Sequence, residues 1–144
     1  MHPLLARDVV VYTVAFGLLL WMHRISGIPD ILSGAPALVN EYYGKRWLVY
    51  ALDWLLVAIY IYAGAWIARF ADAELWVGSA MAALFISGGF FIYFVSKPVT
   101  TGFFSRWFHK AGVGAVLYDI MIVSSTAWFY SILQDLVRPP RGNS

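Results

Sequence analysis

The chain contains no cysteine. Disulfides, thiolate-bound zinc, iron–sulfur clusters and cysteine nucleophiles are therefore excluded. Charge is scarce as well. Asp, Glu, Lys and Arg make up 12% of the 144 residues, where soluble domains carry about a quarter. With a net charge of only +2 there is no basic soluble face to track a phosphate backbone, and no nucleic-acid partner is expected. The motifs G-x-S-x-G, H-E-x-x-H, G-x-G-x-x-G, the phosphate-binding P-loop and the TVGYG filter are all missing. His2 falls at the opposite end of the expected topology from His23 and His109, so three histidines cannot share a metal within one chain. Neither a metal nor another cofactor is expected.

What is present is apolar. Hydrophobic residues reach 61% and aromatics 18%, and the mean hydropathy is +0.70. The longest run, WLVYALDWLLVAIYIYAGAWI from Trp47 to Ile67, holds a single charge, Asp53, and is flanked by Lys45, Arg46 and Arg69. About 20 helical residues cross the hydrocarbon core of a bilayer, so this run is read as a transmembrane helix with an acid inside it. Three more runs follow the same logic. Together they predict an all-α fold, a multi-pass four-transmembrane-helix bundle in one membrane domain over 1–144. The spans are expected at about 5–22, 47–67, 76–95 and 111–133, with a flexible tail over 134–144. The first run also has the length of a signal-peptide core. The HRISGIPD that follows lacks a small-x-small cleavage site, and the next candidate, Ser33–Ala35, runs straight into Pro36. A retained helix is expected.

Two longer connections, 25–46 and 96–110, separate these spans. In the first, Pro36 and Gly44 bracket a predicted short helix, with Leu38, Val39, Tyr42 and Tyr43 on one face. In the second, Phe103, Phe104, Trp107 and Phe108 repeat that spacing beside Arg106, His109 and Lys110. Aromatic faces next to basic groups suit a headgroup interface. Short interfacial helices are expected here, with Tyr42, Tyr43, Phe104, Trp107 and Lys110 against lipid. An ordered loop in the first connection, and in the second the first turns of the last span, are the alternatives. In the third span Ser79, Ala83 and Ser87 form a small-residue stripe, the pattern that lets helix backbones approach closely in lipid. Lys and Arg are more numerous on the side of the two long connections, which places the termini on the non-cytoplasmic side.

Asp53 and Asp119 are the formal charges well inside these runs. The second and fourth spans run in the same direction, so the acids fall at depths of about 9 and 12 Å from one surface. An ionised Asp near a helix centre costs about 2.5–3.5 kcal/mol. Three arrangements would offset that cost. A basic side chain could reach down from the same surface, with Arg46, Lys97 and Arg106 as candidates. A carboxyl could stay protonated. Or the pair could face a wet cavity that admits protons, cations or substrate. The stripes through the acids (Tyr50, Val57, Tyr60 and Gly64; Gly112, Ala115, Thr126 and Tyr130) are mostly small or polar-capable, as suits an interior face.

The function first expected is a non-catalytic membrane subunit, an anchor, scaffold or assembly partner in a larger complex. A small proton- or cation-coupled transporter or channel using Asp53 and Asp119 is the alternative. A lipid-modifying enzyme pairing an Asp with His109 is the third. Expected partners are membrane lipids, further copies of the chain, or other membrane subunits.

Overall fold

The computed structural model describes residues 3–44 and 47–138. All regular structure in it is helical: α1 (Pro3–Ser26), α2 (Ile28–Ser33), α3 (Pro36–Gly44), α4 (Trp47–Ala71), α5 (Leu75–Val95), α6 (Phe103–Ala111) and α7 (Val113–Val137). Four of these, α1, α4, α5 and α7, are long and apolar enough to cross a membrane, and the chain is a four-helix membrane bundle. Their outward faces carry large bare apolar side chains: Phe70 is 96% exposed, and Tyr62, Trp21 and Trp66 are exposed too. Such a surface would drive aggregation in water, whereas acyl chains solvate it.

The bundle is closed in the order α1–α7–α5–α4, with α4 and α5 antiparallel neighbours. Asp72, in a left-handed conformation (φ 50°), makes the tight turn between them. The stripe on α5 is the packing surface: Ser79, Ala83 and Ser87 are each 0% exposed. Opposite it, Gly64 on α4 lies against the Ser79 backbone, and Gly78 on α5 against the Gly64 carbonyl and Ala68. No side chain fits between these backbones, which is why glycine stands at both positions. The fourth seam, α1 to α4, is bridged by side chains. Tyr12 donates to the Trp54 carbonyl at 2.5 Å, and the Trp54 indole donates to Thr13 Oγ1 at 3.1 Å.

Several boundaries differ from the expected ones. The last helix runs on to Val137, and Gln134 in its final turns is buried and donates to Asp8 Oδ1 at 2.8 Å. The tail expected from 134 is thus helical as far as 137; 139–144 lie outside the described residues. The first helix extends to Ser26, and α2 was not expected. Both long connections contain short helices. α6 is separate from α7 because Gly112, at φ 57° and ψ −134°, takes a backbone conformation that a side chain disfavours, and the chain turns there.

α2, α3 and α6 all gather at the end of the bundle where α1 finishes and α4 begins. α3 and α6 cover it with their apolar faces inward: Val39 and Tyr43 of α3 and Trp107 and Phe108 of α6 are buried, whereas α2 buries Pro29 and Ser33 and leaves Ile28 and Ile31 exposed. A bidentate ion pair joins the two covering helices, Arg106 Nη1 and Nη2 donating to Glu41 at 2.9 and 2.6 Å. Tyr42 stacks on Phe103 with ring centroids 4.8 Å apart.

Candidate functional site

Beneath α3 and α6 the helices separate around a cavity of about 310 Å³. Its walls are aliphatic and aromatic, from Phe16 and Leu20 of α1 through Val57 of α4 and Phe90 and Phe94 of α5 to Ile122 and Val123 of α7. The polar groups at its surface are two carboxyls, Asp53 and Asp119, and the phenols of Tyr42, Tyr43, Tyr60 and Tyr118, with the Trp107 indole beside them. No Lys, Arg or His is among the lining residues. The topology accounts for the meeting of the acids. α4 and α7 both leave the covered end, and each carries its Asp six residues from its first helical residue.

The two carboxyls are held differently. Asp53 receives a hydrogen bond on each oxygen, from Tyr42 at 2.7 Å and from Tyr43 at 2.8 Å. A phenol has one proton. Because Tyr43 directs its own to Asp53, Tyr118 is the donor in the 2.8 Å contact between the two hydroxyls. Burial, and then the neighbouring Asp53, raise the pKa of Tyr42 and of Tyr43 well above the ordinary phenol value. Both remain protonated, as donors to a carboxylate must. The Arg24 guanidinium lies over the Tyr43 ring, 5.1 Å from its centroid, and donates to Asn40 at 3.1 Å. A cation therefore stands over the ring whose hydroxyl holds Asp53.

Asp119 has one donor, Ser87, at 2.6 Å to Oδ2; its Oδ1 has no hydrogen bond among the described residues. Tyr60, 9% exposed, lines the same cavity with a hydroxyl that likewise has no partner there.

The cavity reaches the surface on the flank of the bundle. Leu52 of α4, Phe90 of α5 and Phe104 of α6 line it and are also exposed, at 40%, 50% and 42%. Leu52 lies five residues inside the start of α4 and Phe90 five residues inside the end of α5. Leu52 and Phe90 are thus about 8 Å inside the helix ends, whereas Phe104 belongs to the covering helix α6.

Of the three basic partners expected for the acids, Arg106 pairs with Glu41, and the Lys97 ammonium sits over the Tyr93 ring at 3.9 Å. Arg46 lies outside the described residues. Phenols and a serine serve the acids instead, because they reach the site from within the bundle without bringing a second charge into it. Tyr43 and Trp107, expected against lipid, are each 7% exposed. Tyr42 is half-buried over the cavity, Phe104 is on the rim, and Lys110 is exposed. An aromatic face at helical spacing has one pattern whether it meets headgroups or a bundle; the burial of the partner helix made the difference.

Tyr118, Ser87 and Arg24 were not expected in the site, whereas Tyr60 lies on the interior stripe expected around Asp53. Ser87 had been visible only as a packing residue, and Tyr118 only as the neighbour of Asp119. His23 hydrogen-bonds Ser125 at 3.1 Å, while both ring nitrogens of His109 face carbonyls, of Ser105 at 2.8 Å and of Lys97 at 3.1 Å. Neither histidine touches Asp53 or Asp119. Among the described residues, no three His, Asp or Glu side chains are placed to hold a metal ion. No protein-family model, curated protein or solved structure gives a significant match to this chain.

Proposed function

We propose that this chain binds a small amphiphilic molecule drawn from the surrounding bilayer, a transporter-type use of its intramembrane acids. The observation that carries this reading is the cavity itself. Binding sites are typically apolar concavities of about 300–1,000 Å³ with a few convergent polar groups, and this one has aromatic walls, two carboxyls and an unengaged phenol. Its opening lies on the flank of the bundle between Leu52 and Phe90, and in a bilayer that reached these residues an apolar body would enter sideways without crossing water. With the covered end in the cytoplasm, as the Lys and Arg count favours, the ligand would be taken from the cytoplasmic leaflet.

The assembly-subunit reading draws support from one feature. Gly88 and Gly89 on α5 have nothing within 4 Å of where a Cβ would stand, and a second helix could seat there. The two readings part in one experiment. The full chain is purified in mild detergent, and what accompanies it is identified by mass spectrometry. The same is done for Val57→Trp, which fills the cavity. The ligand reading expects an amphiphile that accompanies the unaltered chain and is lost from the variant. An identical lipid complement in both would overturn it. A stoichiometric second protein retained by both would support the subunit reading.

A further inference from the structure

We infer that the polar end of the ligand is an organic cation and that Asp119 is its counter-ion; this rests on the cavity reading above. The two acids divide the work. Asp53 has a donor on each oxygen, so both of its acceptors are already engaged within the fold. Asp119 has one donor and one open oxygen, and no basic side chain lines the cavity with it. An unpaired carboxylate at bilayer depth is costly, and a cation brought by the ligand removes that cost. The hydroxyl of Tyr60, a residue 9% exposed in the same lining, has no partner among the described residues and marks a second polar contact left for an occupant.

The walls select the kind of cation. A bare inorganic ion would need six or more oxygen ligands, or two or three protein ligands and water, and the lining is overwhelmingly carbon. An alkylammonium group instead suits a lining rich in aromatic rings, the kind of surroundings used to recognise quaternary nitrogen. Phe94 and Phe108 stand parallel at 5.5 Å and Tyr42 and Phe103 at 4.8 Å, with Trp107 edge-on to Tyr118 at 5.6 Å. The molecule already seats a cation on a ring at Arg24 and Tyr43. An anionic head would meet two carboxylates. A neutral head would leave an ionised Asp119 without a counter-ion, so that only protonation would offset its charge.

The test uses three probes of one shape: benzyltrimethylammonium, its uncharged carbon isostere neopentylbenzene, and the anion benzylsulfonate. Binding is measured on the full chain in dodecylmaltoside micelles, which bring no ammonium group of their own, with empty micelles subtracted. The cation is expected to bind at least about tenfold more tightly than the isostere, the ratio that desolvated cation–π and charge contacts supply. Benzylsulfonate should not bind. Asp119→Asn should cut the cation's advantage over the isostere severalfold, leaving only what the rings supply, and leave the isostere's own binding unchanged, which doubles as the control for folding. Asp119→Glu should keep the preference. If the isostere binds as well as the cation, or Asp119→Asn leaves cation binding intact, the inference fails while the cavity reading stands. If none of the three binds and Val57→Trp changes nothing, the cavity reading fails with it.

Discussion

The two ends of the bundle are built from the same helices and behave oppositely. At the Asp72 turn, α4 and α5 meet through Gly64, Gly78, Ser79 and Ala68 with their backbones in contact. At the covered end the same two helices present Leu52, Leu56, Phe90 and Phe94 and stand apart around a cavity. Lipid offers no hydrophobic drive for helices to associate, so how closely they approach is set by side-chain size and by polar contacts. Small residues close one end, and ring-sized residues prop the other. The polar groups follow suit: the phenols, Ser87 and both intramembrane acids sit at the open end, where there is room for hydroxyls to be aimed. The closed end supplies rigidity, and the open end supplies a site.

The largest effect on this contrast should come from the closed end. Gly78→Ala forces a methyl into the Gly64 carbonyl and Ala68, and is expected to cost about 3 kcal/mol, the upper part of the range for overpacking. Detergent-titrated unfolding of the reconstituted chain would read it. A loss no greater than that of a surface change would mean the zipper does not govern the separation. Next is Tyr43→Phe, which removes a donor from Asp53 and the acceptor of Tyr118. A hydrogen bond to a charged group contributes about 1.5–3 kcal/mol, so a destabilisation near 2 kcal/mol is expected in the same assay.

Alkaline titration comes third. The Tyr42 and Tyr43 pKa values are raised from an ordinary value of 10.0. The folded state keeps those protons while the unfolded chain releases them. Their contribution is therefore fully present below about pH 10 and is lost as pH rises through the folded values. The fall of the unfolding midpoint above pH 10 should be shallower in the Tyr42→Phe, Tyr43→Phe double variant. Equal slopes would place these phenols outside the alkaline transition. Arg106→Ala should have a still smaller effect on stability, since exposed ion pairs contribute little. It should nevertheless speed hydrogen exchange along α6 by releasing it from Glu41. Gly89→Ala, which meets nothing within 4 Å, should change stability by less than about 0.5 kcal/mol, and marks the zero of the scale.

How much of this was legible beforehand differs by residue. The four apolar runs were legible because spanning length and exclusion of charge are properties of contiguous sequence. The stripe at Ser79, Ala83 and Ser87 was legible because helical spacing places those residues on one face. The partners of the acids were not. Lys97 and Arg106 are near enough in sequence to the covered end to suggest themselves, yet Arg106 is taken by Glu41 from another helix. Tyr43 and Trp107 were misplaced for a similar reason: amphipathic spacing tells which residues share a face, and nothing about what that face meets.

Composition and hydropathy alone, then, determined that this is a bundle of membrane-spanning helices with two acids set inside it. Both follow from the energetics of single helices in hydrocarbon, which each segment meets by itself. That Asp53 is saturated by two phenols while Asp119 keeps an open oxygen, and that their cavity opens between the exposed Leu52, Phe90 and Phe104, were decided only by packing. Those facts depend on which side chains from α3, α5 and α6 arrive at α4 and α7, and residues so far apart in the chain are brought together only by the fold.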